Sequence, residues 1–445
     1  MMKAENQDQR QRAIAIFQAG LQAVEPIAAM KTYCQLSGSL LHIDGRDYDL
    51  DHFEKILVIG AGKAGASMAR AMEEILGERI SDGIITVKYG HLDELKKIRI
   101  REAGHPVPDE NGYLGARAIY QLASSADEKT LVICLISGGG SALLTMPVDG
   151  VSLADKQTTT KVLLECGANI HEINTIRKHL SVIKGGGLAR AVYPAVLVTL
   201  ILSDVVGDDL DSIASGPCVP DSKTFADCQD IFNKYGIEQD IPAPVLQHIK
   251  RGIAGEVAET PKAGQEFFRQ TQNVIIGSNF NALLKAKEKA DELGYHTLLL
   301  SSMIEGETRE VACNHIAIAA EIKAHGYPLA TPACVLSGGE TTVKIKGSGK
   351  GGRNQEFVLA AAIRMAGMQH ITAFSAGTDG SDGPTDAAGA IADDQTLAQA
   401  ALQGLEPKQY LDNNDSYHFF DQVGGLYKTG PTNTNVMDIR IILID

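Results

Sequence analysis

The sequence predicts an α/β protein whose main sheet is largely parallel and covered by helices on both faces. Apolar runs of strand length occupy residues 55–59, 130–136 and 195–202. A glycine-rich or acidic loop follows each run, and segments with helical spacing of apolar residues separate the runs. Strands that are apolar throughout are typical of parallel sheets, because both of their faces are buried. The repeated order of strand, loop and helix therefore predicts a doubly covered sheet.

The remaining elements divide the chain into two predicted domains, because 445 residues are too many for one ordinary core. The stretch 242–262 carries prolines and glycines with little periodicity, so we place the boundary there. The predicted domains are an N-terminal domain, residues 1–262, and a C-terminal domain, residues 263–445. The predicted strands are 55–59, 83–87, 130–136, 195–202, 273–276, 296–300, 333–336, 371–375 and 438–444. The predicted helices are 9–29, 63–76, most of 151–190, 279–292, 308–324 and one that ends near residue 365.

Composition and charge exclude several classes of protein. The net charge of −14 opposes nucleic-acid binding, which needs a basic surface. The polar opening residues lack the apolar stretch of a signal peptide, and no apolar run is long enough to span a membrane. The seven cysteines include no C-x-x-C pair, which favours a reducing compartment. We therefore expect a cytoplasmic protein that binds neither nucleic acid nor a membrane.

The segment 335–361 carries the strongest local signal. A strand ends in Ser-Gly-Gly, an alternating ribbon follows at residues 341–346, and a glycine-rich loop opens a helix at Arg353. Glycines let backbone N–H groups approach an anion, and the start of a helix adds the positive end of its dipole. The segment therefore predicts a phosphate site, although the chain contains no P-loop motif. The residues predicted to bind phosphate here are Gly338, Gly339, Lys350, Gly351 and Gly352.

A second glycine loop, residues 60–65, has the spacing G-x-G-x-x-G between a strand and a helix. This context is typical of a dinucleotide-binding turn, and a tight packing turn is the alternative. The next strand ends without an acidic residue to hold a ribose. Lys88 could contact the 2′-phosphate of NADP, so NADP binding stays open. Lys63 opposes the helix dipole at this turn, which indicates an anionic ligand or a transferring phosphoryl group. We expect Gly60 and Gly62 to approach that ligand.

Two further loops supply candidates for anion binding and acid–base chemistry. The run Ser-Gly-Gly-Gly-Ser after residues 130–136 predicts a second anion nest, and it lacks the G-x-S-x-G spacing of a hydrolase nucleophile. His105 lies in a stiff loop with two prolines. It is a candidate for acid–base chemistry or substrate binding, and a structural role is the alternative. The residues of the nest are Ser137, Gly138, Gly139, Gly140 and Ser141.

Acidic loops follow two of the predicted strands and predict a Mg²⁺ site. Asp204 and Asp208 come after residues 195–202, and Asp379 and Asp382 come after residues 371–375. Carboxylates at strand ends can bind Mg²⁺ or accept the proton of a substrate hydroxyl. The spacing does not fit an EF-hand, so calcium is not predicted. Solvated acidic turns are the alternative, and Asp204 is the strongest candidate because it lies nearest its strand.

Taken together, these segments resemble class II glycerate kinase, the glycerate 2-kinase group whose C-terminal part is called the MOFRL domain. No single segment is decisive, but together they follow the family's order along nearly the whole chain. The matching segments are VIGAGKAGASMA, GHPVPDE, LISGGGSALL, INTIRKHLSVIKGGGLA, LSDVVGDDLDSIASGP, SGGETTVKIKG, GKGGRNQE and AGTDGSDGPTDAAGA.

The resemblance implies transfer of phosphate from ATP to the 2-hydroxyl of D-glycerate, giving 2-phosphoglycerate, with Mg²⁺. It implies a Rossmann-like N-terminal domain and a smaller α/β C-terminal domain, with the active site in the cleft between them. Lys63 and Arg353 match the family's lysine and arginine, the expected catalytic pair. Asp204 would orient or deprotonate the glycerate hydroxyl, and the Ser137–Ser141 nest would hold a carboxylate or a phosphate. D-Glycerate and a nucleotide are the expected partners, and homodimer formation stays open.

Two other functions stay open at this point. A NADP-dependent hydroxypyruvate or glycerate oxidoreductase fits the G-x-G-x-x-G turn. It lacks the ribose-binding acid, however, and hydride transfer has no need of a second cationic glycine loop. A non-catalytic module that senses sugar phosphates fits the anion nests but not the acidic loops.

Overall fold

The chain folds into two compact units. The computed structural model describes residues 2–445, with side chains from residue 8 onward, so the prediction of no signal peptide rests partly on residues outside the described part. The N-terminal unit is Ala29–Ile276, and the C-terminal unit joins the chain up to Ala28 with Gly277–Asp445. This division differs from the predicted boundary at residue 262, because the strand at 271–277 completes the N-terminal sheet and the leading helix packs into the C-terminal core.

The N-terminal unit contains a six-stranded sheet and a small antiparallel sheet. The small sheet consists of β1 (Cys34–Ser37), β2 (Leu40–Ile43) and β3 (Arg46–Asp49). The six-stranded sheet consists of β4 (Lys55–Ala61), β5 (Asp82–Lys88), β6 (Ile98–Ala103), β7 (Thr130–Ile136), β8 (Val196–Leu202) and β9 (Thr271–Gly277). Its order is β6-β5-β4-β7-β8-β9, and the pairs from β6 to β8 are parallel. The predicted parallel sheet is confirmed.

Burial on both faces explains this parallel arrangement. Every residue of β7 is buried, and so is every residue of β4 after Lys55. Helices therefore cover the sheet, as parallel connections require. The helices from the start of the chain through this unit are α1 (Met2–Ala23), α2 (Pro26–Tyr33), α3 (Gly65–Leu76), α4 (Glu110–Ala123), α5 (Gly140–Leu143), α6 (Leu153–Glu165), α7 (Ile170–His179), α8 (Gly187–Val192), α9 (Phe225–Tyr235) and α10 (Ala243–Ile253).

The C-terminal unit contains a second six-stranded sheet of mixed direction. Its strands are β10 (His296–Ile304), β11 (Ala333–Gly339), β12 (Ile371–Gly377), β13 (Gly389–Ala392), β14 (Leu426–Tyr427) and β15 (Asp438–Ile444). The order is β10-β11-β15-β12-β13-β14, and the last strand, β15, runs antiparallel to both of its neighbours. The helices are α11 (Asn279–Glu292), α12 (Thr308–His325), α13 (Arg353–Arg364), α14 (Thr396–Leu402), α15 (Pro407–Asp412) and α16 (Ser416–Val423). The second α/β unit is thus also confirmed.

The leading helix belongs to this second unit because its apolar face is buried there. Ile16 and Phe17 of α1 are fully buried. The Phe17 ring centroid lies 5.2 Å from that of Phe374 and 5.5 Å from that of Tyr427. The predicted helix 9–29 is in fact two helices, since Pro26 begins α2 and its missing N–H favours the first turn of a helix.

The predicted ribbon at residues 341–346 does not form a strand in the described chain. Its one ladder contact is an isolated parallel bridge between Glu307 and Thr342. The Thr342 N–H donates to Gly306 O at 2.9 Å, and the Lys344 N–H donates to the Glu307 carboxylate. The segment is therefore a loop, and its alternation of residue types does not indicate a strand here.

In the described residues, no single helix is long and apolar enough to cross a membrane. Only α1 from Asp8 together with α2, bent by 56° at their break, reaches that length and apolarity as a pair.

Candidate active site

Three of the predicted loops leave the large parallel sheet at the same edge. In the register of β4, β7 and β8, Ala61 lies opposite Ile136, and Ile136 lies opposite Ile201. The strands therefore end level with one another. Carboxyl ends of neighbouring parallel strands are the usual position of ligand loops in open α/β sheets. This edge is the candidate active site of the N-terminal unit.

The first two loops are joined by hydrogen bonds. The Lys63 N–H donates to Gly138 O at 2.8 Å, and the Ala64 N–H donates to Ser137 Oγ at 3.0 Å. A Cβ atom at Gly62 would overlap Ser137, so this glycine is required for close approach of the loops. The predicted roles of Gly60 and Gly62 in ligand binding stay predictions, because both positions are already explained by packing against β7 and its loop.

Three predicted side chains meet at the nest that follows β7. A Cβ atom at Gly139, whose φ is +82°, would lie 3.0 Å from His105 Nε2 and 3.4 Å from Lys63 Cγ. A Cβ atom at Gly138 would overlap the Asp204 carboxylate. The structure thus brings a lysine, a histidine and a carboxylate to two adjacent glycines, from three separate loops of the sequence.

The nest keeps donors for an anion. Among the hydrogen bonds of the described residues, none uses the N–H groups of Gly138 and Gly139. The Gly140 N–H closes the turn to Ser137 O at 3.2 Å, and Ser141 Oγ lies 2.9 Å from Ser215 Oγ. Lys63 makes no ion pair within the described chain, which leaves its charge available to a ligand. The nest and Lys63 therefore match the chemistry of an anion site.

His105 is held in its neutral form by its surroundings. Burial, together with the positive charges of Lys63, Lys88 and His91, lowers its pKa to about 4. A neutral imidazole at pH 7 can donate or accept a hydrogen bond, and it is not a cation for a phosphate. The geometry thus favours a hydrogen-bonding role over a charged one.

The acidic loop after β8 has two buried carboxylate oxygens without a hydrogen-bond partner, of which Asp211 Oδ1 forms an ion pair with Lys178. Asp208 Oδ1 is buried without a hydrogen-bond partner, and Asp208 has a positive φ of 57°. Asp204 is half-buried beside Gly138. No cluster of three or more His, Cys, Asp or Glu side chains that could hold a metal ion occurs in the described residues. Mg²⁺ is commonly held by one or two carboxylates together with substrate phosphates, so a single open carboxylate still fits it.

In the C-terminal unit, the glycine-rich loop 347–352 differs from the predicted phosphate cradle. The N–H groups in the first part of this loop are used by protein acceptors: Gly347 N donates to Asn414 Oδ1 at 3.0 Å, and Gly349 N donates to Asn413 O at 3.0 Å. Lys350 N donates to Asp415 Oδ1 at 2.8 Å, and the Lys350 ammonium lies 4.4 Å from the centroid of the Tyr417 ring.

Glycines in this loop serve close packing. A Cβ atom at Gly351 would overlap Ser416 Oγ, and one at Gly352 would overlap Asp382. Gly338 and Gly339 are likewise packed, against Asn279 and the Ile304 backbone. The arrangement therefore does not favour the phosphate-binding roles predicted for Gly338, Gly339 and Lys350, whereas those of Gly351 and Gly352 stay predictions.

Asp382 occupies the start of α13, where the sequence predicts a phosphate. Its carboxylate accepts the N–H groups of Asn354 at 3.0 Å and Gln355 at 2.9 Å, and both side-chain amides as well. Burial raises its pKa to about 6, against the opposing effect of these N–H groups. Asp379 Oδ1 accepts the N–H and hydroxyl of Ser381 within a turn. The geometry favours helix capping and turn formation over the metal binding predicted for these two residues.

Arg353 begins α13 and is fixed by two carboxylates. Its Nε donates to Asp438 Oδ2 at 2.7 Å and its Nη2 to Asp438 Oδ1 at 3.0 Å, while Nη1 lies 2.9 Å from Glu340 Oε1. Burial lowers the pKa of Arg353, but Asp438 and Glu340 more than offset this, and the pKa is raised overall. Since 31% of the side chain stays exposed, the guanidinium is both oriented and accessible.

Sequence reasoning missed the charged pair that supports Arg353. Asp438 is fully buried at the start of β15 and is also contacted by Arg440 Nη2 at 3.1 Å. Arg440 is fully buried, and its Nε and Nη1 have no hydrogen-bond partner. The signal was present in the segment DIRIILID, where two charges two residues apart interrupt an otherwise apolar strand and so share one face of it.

Comparison with known proteins relates the whole chain to one group. Residues 333–438 match the MOFRL family, and residues 12–250 match a domain of unknown function, DUF4147. The chain is 41% identical to a protein of Pyrococcus horikoshii named glycerate 2-kinase, over 98% of each chain. It is 43% identical, over 88% of this chain and 87% of the other, to a protein of Agrobacterium vitis provisionally named hydroxypyruvate reductase. The crystal structure of a glycerate kinase from Thermotoga maritima matches with a TM-score of 0.89 at 41% identity, over 99% of this chain and all of that one.

The depressed pKa of His105 gives a titration that can be measured. We expect its imidazole to stay neutral down to about pH 5, and Lys63→Met to raise its pKa without restoring the usual value, since burial is the larger cause. Between the usual pKa and about 4, the unfolded chain binds a proton that the folded chain does not, so this group lowers stability as pH falls through that range.

NMR titration of the imidazole, assigned with His105→Gln, checks the expectation. Lys129→Met, which changes an exposed lysine of the same unit, is the matched control and leaves the His105 pKa unchanged. A wild-type His105 that titrates near 6.5 contradicts the burial argument.

Removal of the buried carboxylate of Asp438 is expected to destabilise the C-terminal unit strongly. Asp438→Ala leaves Arg440 buried without a counterion, which costs about 3–5 kcal/mol. Urea unfolding followed in the C-terminal unit measures this loss. Asp386→Ala, which removes an exposed partner of Lys428, is the control and changes stability little. Equal effects of the two substitutions would show that the buried arrangement is not a stabilising one.

Proposed function

Since this chain belongs to the class II glycerate kinase family, we propose that it transfers the γ-phosphoryl group of ATP to the 2-hydroxyl of D-glycerate, giving 2-phosphoglycerate. The observation that carries the proposal is the convergence of Lys63, His105 and Asp204 on the Gly138–Gly139 nest. Phosphoryl transfer needs little covalent chemistry, and it depends on positioned reactants and stabilised charge. A free lysine, open N–H donors and a carboxylate in one place meet those needs.

We propose that Lys63 and Arg353 stabilise the negative charge that develops in the transition state. The hydroxyl oxygen forms a bond to the γ-phosphorus, while the bond from that phosphorus to its bridging oxygen breaks. Positive groups placed at the transferring oxygens stabilise the charge that develops there. Lys63 is supported in this role by its lack of an ion pair, and Arg353 by the two carboxylates that fix its guanidinium while part of it stays exposed.

Asp204 is the proposed acceptor of the hydroxyl proton, and the nest is the proposed holder of a substrate oxyanion. A base must lie within hydrogen-bond reach of the hydroxyl, and Asp204 lies against the glycine that would contact the same substrate. A neutral His105 on the other side of Gly139 would donate to a substrate oxygen without adding charge. These roles are supported by position and by protonation state.

ATP is the proposed phosphoryl donor and Mg²⁺ the proposed metal. The buried, unpartnered Asp208 Oδ1 fits a Mg²⁺ that also binds nucleotide phosphates, and Asp204 is the other candidate on this loop. When bound, the metal would neutralise charge on the phosphate oxygens. A cytoplasmic location stays a prediction from the sequence, and homodimer formation stays open.

The oxidoreductase alternative has one observation in its favour, the name given to the Agrobacterium vitis relative. Against it, β5 ends in Val87 and Lys88, so no carboxylate follows this strand to bind a ribose 2′-hydroxyl. We therefore keep it as the second candidate and let one assay decide.

With D-glycerate, ATP and Mg²⁺ the protein is expected to form ADP, and with hydroxypyruvate and NADPH it is expected to leave the nicotinamide reduced. ADP release can be followed by a coupled assay and NADPH by absorbance. ³¹P and ¹³C NMR of the product distinguish 2-phosphoglycerate from the 3-phospho isomer. NADPH oxidation without ADP release would contradict the proposed kinase activity and support the reductase activity.

Loss of the positive groups should slow turnover at saturating substrate. Lys63→Ala and Arg353→Lys are each expected to lower kcat by about 100-fold to 1000-fold, because each removes charge or geometry needed at the transferring group. Lys129→Ala, at an exposed lysine, is the control and keeps wild-type kcat. Thermal unfolding of each variant verifies that the fold is intact. A wild-type kcat in both site variants would show that Lys63 and Arg353 are not catalytic residues.

A further inference from the structure

A cavity of about 460 Å³ in the N-terminal unit is lined by four basic side chains. Lys161 of α6 is exposed and pairs with Glu165, and the other three are Lys156 of α6, Arg177 of α7 and Lys184, which follows α7. Val107 and Leu164 form part of its apolar wall, and no Asp or Glu is among its lining residues in the described chain. The volume and the mixture of apolar walls with a few polar groups are typical of small-molecule sites.

Within the part of the chain that the structure describes, Lys156, Arg177 and Lys184 have no carboxylate partner. Lys184 is 2% exposed, and its Nζ donates to three neutral oxygens, Ser141 O at 2.9 Å, Ser141 Oγ at 3.2 Å and Ala214 O at 3.1 Å. Lys156 is 7% exposed, and its Nζ donates to Leu180 O at 3.1 Å. Within the described residues Arg177 has no hydrogen bond or ion pair. Lys156 and Arg177 therefore keep unused donors beside the cavity.

Such a cluster is costly unless an anion joins it. Buried charges are normally paired, and like charges at short range repel. Burial, and then the charge of Arg177, lowers the pKa of Lys156 to about 7. Burial, and then the charges of Lys156, Arg177 and Lys178, holds the pKa of Lys184 well below its usual range. The guanidinium of Arg177 keeps its charge, so the cavity stays positive even where the lysines lose their protons.

Ser141 connects this cavity to the candidate active site. It lines the cavity and accepts from Lys184, and it is also the last residue of the nest whose N–H groups lie beside Lys63. A reactant whose oxyanion lies among the three cations would thus have another part close to the nest.

We propose that the cavity binds an oxyanion group of a reactant, a carboxylate or a phosphate, through Lys156 and Arg177, with Lys184 contributing charge. The inference rests on the proposed function in taking a reactant as the ligand. The shared chemistry has two sources, the carboxylate of D-glycerate and a phosphate of the nucleotide.

Calorimetric titration of the full-length protein at pH 8 with D-glycerate, ADP or inorganic phosphate tests the site. An anion beside Lys156 restores its proton, so binding takes up protons, and the measured heat changes with the ionisation enthalpy of the buffer. Lys156→Met should lower this uptake and weaken binding of the anion by roughly 10-fold to 100-fold, the loss expected for a charged hydrogen bond. Lys250→Met, at an exposed helical lysine of the same unit, is the matched control and binds as the wild type.

A second variant keeps the test decisive if Lys156→Met fails to fold. Arg177→Gln should weaken the same anion by a similar factor. The Michaelis constants of these variants show which oxyanion the cavity binds. KM for D-glycerate rises if the cavity binds the carboxylate, and KM for ATP rises if it binds a phosphate. A role of Lys156 confined to its bond with Leu180 would lower the melting temperature and leave affinity unchanged, which overturns the proposal.

Failure of the cavity and failure of the kinase give different results. If no anion binds the wild type with proton uptake, or if all variants bind with unchanged affinity, the cavity is not an anion site, whether or not ADP is formed. If phosphate binds with an uptake that Lys156→Met lowers, and no ADP forms from D-glycerate, the anion site is confirmed and the proposed function is wrong.

Discussion

The level ends of the parallel strands β4, β7 and β8 are the constraint on which the candidate site depends. Because these strands pair in register, their loops leave the sheet side by side. Three residues far apart in the sequence, Lys63, His105 and Asp204, then lie within reach of two glycines. Side chains at Gly138 or Gly139 would collide with this group, so the absence of a Cβ there is what lets the loops close.

In the C-terminal unit, a buried carboxylate holds the side chain of Arg353 in a fixed orientation. Asp438 lies at the start of a central strand, where its carboxylate is fully buried and contacts both Arg353 and Arg440. A buried ion pair contributes little net stability, because its attraction is offset by the desolvation of the charges. Its value lies in geometry: the two-point contact with Asp438 leaves Arg353 one orientation while part of its surface stays open.

Much of the fold follows from local patterns, and much of the site does not. Apolar runs such as 130–136 report strands because burial on both faces leaves a direct trace in the sequence. The β1–β3 sheet leaves no such trace because its strands are short and partly exposed, and the place of α1 in the C-terminal core leaves none because it depends on partners far along the chain. Lys63 could be predicted because it opposes a helix dipole. The supporting Asp438 was missed although its segment carries a signal, because a charged residue on a strand is equally typical of an exposed face.

The two glycine-rich loops show why motif chemistry needs its surroundings. The nest after β7 and the loop before α13 look alike in sequence, and both predict open N–H groups. In the first, the N–H groups of Gly138 and Gly139 have no acceptor among the hydrogen bonds of the described residues, and Lys63 lies beside them. In the second, a turn at residues 413–415 takes the N–H groups of Gly347, Gly349 and Lys350, and the carboxylate of Asp382 takes those at the start of α13. A glycine permits close approach, and the group that approaches is decided by residues elsewhere in the chain. At the start of α13 the place of an anion is therefore taken by Asp382, and the exposed part of Arg353 is the charge that the protein leaves accessible beside it.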